Sequence, residues 1–139
     1  MRMSLRLALA APILLAALLL AGCGSPGIDR VDVTWDTDPP PRWGLYPGYR
    51  QEIPCPKGAT YHIDVYSKGK AFTGAAIAEA GAGLAFKPTA GSRDIEAEAV
   101  DRTHLNVYAT LRDEKGGKHR LLALRIERKD DKIVFEFPK

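Results

Sequence analysis

The chain predicts a small all-β domain, an antiparallel sandwich or partly open barrel ending in a three-strand meander, with room for at most one short helix. Three observations predict it. Apolar and polar residues alternate with period two in several short runs. Glycine, proline and aspartate turn formers separate those runs at short intervals. No stretch sustains the 3.6-residue periodicity of a long amphipathic helix.

The elements follow in order. In Ile28 to Asp36, Val31, Val33 and Trp35 alternate with Asp32, Thr34 and Asp36, the pattern of a half-buried strand. Pro39 to Lys57 is rich in proline and glycine and reads as an extended, polyproline-like passage over the surface. In Thr60 to Lys68, Tyr61, Ile63 and Val65 face one way, and Lys68-Gly69 marks a turn. The alanine-rich run 71–80 fits a strand or a short helix, with the strand preferred; Leu84-Ala85-Phe86 before Lys87-Pro88 reads as a strand. Asp94 to Val100 and Thr103 to Arg112 alternate cleanly, and Asp113 to Gly117 is a loop of turn formers. Leu121 to Ile126 starts apolar on both faces, as a central strand does. Asp130-Asp131 then turns the chain into a last strand lined by Ile133, Phe135 and Phe137.

The first 22 of the 139 residues stand apart. They hold Arg2 and Arg6 but no acid, and Leu7 to Leu20 is an uncharged apolar stretch closed by small residues. That is the anatomy of a secretory signal. The stretch is shorter than the roughly 20 residues a bilayer-spanning helix needs, and Pro12 weakens it further. Without it, 18 Lys+Arg face 17 Asp+Glu, so the remaining chain is almost neutral and lacks the basic field that nucleic-acid binding requires. The organisation read from these shifts is a signal peptide over 1–22. An N-terminal portion follows over 23–58, with one strand and the proline-rich passage. A β-rich body over 59–139 packs with the 28–36 strand.

Leu20-Ala21-Gly22-Cys23 resembles the lipobox of bacterial lipoproteins, a resemblance confined to residues 1–23. It implies cleavage before Cys23, acyl chains such as palmitate on that residue, and a membrane partner engaged through them. Two or three chains, at about 0.8 kcal/mol per buried CH₂, make such an anchor effectively permanent. The implied location is the bacterial cell envelope. In a two-membraned cell, Gly24 after the cysteine points to the outer membrane, with the domain facing the periplasm.

Motifs for chemistry are sparse. His62, His104 and His119 lack metal-ligand spacing, Gly81 and Gly83 lack a phosphate-loop frame, and no serine sits in a nucleophile elbow. No catalytic residue, metal or cofactor is expected. Glu96 and Glu98 share a strand face at roughly 6.5 Å, a spacing loosely compatible with paired-carboxylate chemistry, but a solvated outer face explains them better. The basic excess over Arg112 to Lys132 is interleaved with acids next to turns, as edge protection requires; anionic lipid or envelope polysaccharide is the other reading. Trp43, Tyr46 and Tyr49 lie in the proline-rich run and are the candidate contacts for a partner or ligand, with Trp43 the expected staple and the tyrosines turned outward by Pro47-Gly48. Once Cys23 is acylated, Cys55 has no intrachain partner; flanked by Pro54 and Pro56 in a loop, it reads as a surface thiol able to pair with another chain.

The expected function is that of a non-catalytic interaction or scaffolding lipoprotein with an envelope protein partner. A glycan or cell-wall ligand module using surface aromatics is the alternative, and an envelope hydrolase the third reading.

Overall fold

Alternating runs separated by tight turns produce two five-stranded antiparallel sheets packed face to face. The computed structural model describes residues 27–80 and 83–139; the signal segment 1–22 and Cys23 lie outside the described residues. The ten strands among them are β1 (Arg30–Trp35), β2 (Arg42–Leu45), β3 (Arg50–Pro54), β4 (Thr60–Ser67), β5 (Lys70–Ala80), β6 (Gly83–Pro88), β7 (Ile95–Asp101), β8 (His104–Arg112), β9 (Lys118–Lys129) and β10 (Lys132–Glu136). The first sheet has the order β2-β1-β4-β5-β6 and the second β3-β10-β9-β8-β7, and they do not close into a barrel. Crossovers link the sheets along both edges, β2 to β3 on one side and β6 to β7 on the other.

The core is the set of inward positions that the alternation marks. Val31, Val33, Ile63, Val65 and Ile77 of the first sheet face Ile53, Val107, Leu124, Ile126, Ile133 and Phe135 of the second, each at most 1% exposed. Tyr61 sits among them, stacked on Trp35 at 6.1 Å and edge-on to Phe135 at 5.6 Å. The meander of β8, β9 and β10 is present as expected, and β9 lies at the centre of its sheet. A bulge where β8 Val107/Tyr108 meets β9 accounts for the doubly apolar start of β9: Leu124 pairs with inward Val107, while Leu122 pairs with outward Tyr108.

Two expectations need correction or resolution. Residues 39–57 are not a polyproline-like passage: they form the edge strands β2 and β3, which bury Leu45 and Ile53. An edge strand bonds on one side only, so prolines are tolerated there; Pro47 occupies a turn and Pro54 ends β3. The run 71–80 is strand rather than helix, bonded to β4 and β6. Gly74 is required in it, because a Cβ would stand 2.7 Å from the Ile63 carbonyl oxygen and 2.9 Å from Asp64 Oδ1.

Strand polarity sorts the connections onto two ends. One end carries chain entry at Gly27, the Tyr46–Tyr49 turn, the Lys68-Gly69 turn, the 89–94 crossover, the Asp113–Gly117 turn and the C-terminal Phe137 to Lys139. The other carries the 36–41 loop, the 55–59 crossover, the β7–β8 turn and Asp130-Asp131.

Candidate functional site

On the outer face of the second sheet the cross-strand register builds a cleft. One row joins Glu98, Asn106, Arg125, Glu136 and Arg50 across all five strands; the next joins His104, Glu127, Val134 and Glu52. Between these rows lies a cleft of about 440 Å³, with Val134 in its floor and Val100, Arg50, His104, Arg125, Glu127, Lys129 and Glu136 among its lining residues. Val134 is 4% exposed, whereas Val100, beside the β7 bulge, is 60% exposed. Charged side chains therefore surround a small apolar centre.

His104 fixes one wall. Its Nδ1 lies 2.8 Å from Asp101 Oδ1 and its Nε2 2.7 Å from Glu127 Oε2. A carboxylate lies at each nitrogen and favours the charged ring, so the His104 pKa rises, chiefly through Asp101 and then Glu127. The His104 contact in turn lowers Asp101 to about 2, helped by the Thr103 backbone N–H, and lowers Glu127 as well. Both ring nitrogens are thereby engaged by carboxylates.

The aromatic segment divides. Trp43 is half-buried and packs against the core. Tyr46 and Tyr49 are 46% and 55% exposed. They flank a turn in which Tyr49 N–H donates to the Tyr46 carbonyl, Gly48 takes φ 90°, and Gly48 N–H donates to the Phe137 carbonyl. Their rings meet edge to face, 5.5 Å apart at 68°. A flat sugar ring is best received by coplanar rings, which this pair does not offer.

Cys55 is 2% exposed and belongs to the core, which corrects the expected surface thiol. Inward alternation continues past Ile53, and Cys55 N–H donates to the Asp131 carbonyl. Its thiol adjoins the Tyr61 hydroxyl, which donates to the Pro54 carbonyl; burial first and the thiol second push the Tyr61 pKa upward. Nearby is an ion pair that the sequence reading missed. Glu79 of β5, 7% exposed, accepts from Gly58 N–H at 2.8 Å, and its Oε1 lies 3.3 Å from Arg128 Nη2 of β9. It joins the two sheets.

Glu96 is engaged by Arg120, whose guanidinium also covers the Tyr108 ring at 3.7 Å, and Glu98 is exposed beside it. On the first sheet's outer face Asp32 stands directly opposite Asp64. Arg30 at 2.8 Å and Arg42 at 3.9 Å offset the charge of Asp32. Neither this pair nor the cleft could be placed from sequence, since each depends on register between strands far apart in the chain. Searches of family models, curated proteins and solved structures found no match to this chain.

Proposed function

We propose that the chain is a bacterial envelope lipoprotein, tethered through acyl chains on Cys23, that works as a non-catalytic interaction module and docks a protein partner on the outer face of the β3-β10-β9-β8-β7 sheet. The observation that carries the docking face is the cleft of about 440 Å³ with Val134 in its floor and charged residues around it. A partner polypeptide with complementary charges could lay an apolar side chain between Val100 and Val134 while its polar groups meet Arg50, Arg125 and Glu136. The glycan reading is less favoured, because the exposed tyrosines stand edge to face.

Crosslinking in the native envelope followed by capture of the tagged protein tests this. Val100→Arg and Arg125→Glu change the cleft but not the core, so each should lose the captured partner while melting within a few degrees of wild type. Retained capture by both variants would remove this face from consideration.

A further inference from the structure

We infer that the end of the sandwich carrying Gly27 is a membrane-contacting face, seated on the anionic headgroup surface of the bilayer that holds the anchor. This rests on the lipid-anchored reading above and adds an orientation to it. Cys23 is four residues from Gly27. Covalent geometry alone limits that connection to about 14 Å, so Gly27 stays within that distance of the acylated residue. Gly27 is fixed to the body, its carbonyl accepting from the Ser67 hydroxyl at 2.8 Å beside the β4–β5 turn.

The same end gathers cations. Lys68 and Lys70 stand at the β4–β5 turn, Lys115 and Lys118 at the β8–β9 turn, and Lys139 on the C-terminal segment; all five are exposed and none forms an ion pair among the described residues. Two of the acids nearby are engaged in the turns themselves: Asp29 accepts from Gly69 N–H, and Asp113 accepts from Lys115 and Gly117 N–H and meets His119. Asp94 and Glu114 bring the acids there to four, against the five lysines and the exposed Arg93. The opposite end sets Asp36, Asp38, Asp101, Asp130 and Asp131 against Arg42, Lys57, Arg102, Lys129 and Lys132 in its loops and flanking strand ends, so its charges nearly cancel. Tyr46 and Tyr49 complete the basic end, exposed on a turn bonded to Phe137. A ring with an apolar body and a polar tip suits the headgroup layer, and each basic side chain near an anionic surface adds attraction. Seated this way, the domain turns its near-neutral end away from the bilayer and leaves the cleft of the second sheet open at the side.

The test uses the full acylated chain, reconstituted in vesicles of phosphatidylethanolamine with phosphatidylglycerol. A fluorophore is placed through Lys68→Cys or, separately, Asp130→Cys, and a headgroup-attached quencher reads its distance from the surface. Acyl mass on Cys23 is verified on the same preparation. Position 68 should be quenched several-fold more than position 130. Because the tether alone keeps position 68 close, the difference should shrink without vanishing in 1 M salt, where the screening length is about 3 Å, and in the triple variant Lys70→Glu, Lys115→Glu, Lys118→Glu. Equal quenching of the two positions in acylated protein, or a difference undiminished in the triple variant, overturns this face while leaving the anchor intact. A preparation lacking acyl mass overturns the anchor and this orientation together.

Discussion

Replacing Glu79 with alanine removes the carboxylate that joins the two sheets and provides the sharpest test of how the sandwich is held. The change leaves the Gly58 N–H without its 2.8 Å acceptor and Arg128 without its 3.3 Å partner, with Arg128 Nε already buried and unbonded. Breaking a fully buried ion pair costs about 3 to 5 kcal/mol. The Arg128 side chain keeps 27% exposure, so water relieves part of that penalty, and about 3 kcal/mol in total is the expected loss. Against the roughly 5 to 15 kcal/mol that holds a domain together, this is a large fraction, and it should lower Tm by about 10 °C. Urea denaturation of wild type, Glu79→Ala, Arg128→Ala and the double variant completes a cycle, with a coupling of about 1 to 3 kcal/mol expected. Glu79→Gln, which keeps an acceptor for Gly58 but loses the charge, should fall between. If Glu79→Ala melts within about 2 °C of wild type, the pair does not hold the sheets together and the reasoning fails.

Three further outcomes follow from the packing and the charges. Cys55 should resist thiol reagents in the native protein and react only after denaturant is added; rapid native labelling, or a disulfide-linked dimer on a non-reducing gel, would contradict its burial. His104 should titrate above its ordinary 6.5 by NMR and Asp101 at about 2. Because folding raises the His104 pKa, its stabilisation is full below pH 6.5 and is lost as pH rises through the folded value; the depressed Asp101 and Glu127 act in the opposite direction, losing theirs as pH falls through their folded values. His104→Gln should therefore flatten the decline of stability above pH 6.5, and an unchanged profile would count against the triad. Trp43→Ala should cost roughly 1.5 to 3 kcal/mol, less than a fully buried tryptophan, whereas Tyr46→Ala and Tyr49→Ala should melt close to wild type. Equal destabilisation by all three would make the tyrosines staples as well.

How much was legible follows from the range of each signal. Period-two alternation is local, so β1, β4, β8 and the final meander could be read directly, and so could the outward turn of Tyr46 and Tyr49 around Pro47-Gly48. The 71–80 run was ambiguous because its alanines and Gly74 are shaped by tight approach to β4, a contact with no local signature. Gly83 is similar: a Cβ there would fall 2.3 Å from the Arg102 carbonyl oxygen, a distant residue in the chain. The prolines around β2 and β3 masked strands that need bonds on only one side. Cys55 did carry a signal, two residues beyond inward Ile53, but Pro54 and Pro56 obscured it. Glu79 resembled a lone surface charge in an alanine-rich run, and its partner lies 49 residues away on the other sheet. The His104 wall was equally hidden, since Glu127 reaches the ring only through β8–β9 pairing.

Whether the domain is tethered is decided by the fate of Cys23, which intact mass spectrometry of the N-terminal peptide from the envelope-extracted protein measures. A tethered lipoprotein should begin at Cys23 and carry the mass of two or three acyl chains, lost in Cys23→Ser together with firm membrane partitioning. A chain that begins elsewhere, or that begins at Cys23 with an unmodified thiol, would contradict the tethered lipoprotein and the orientation built on it.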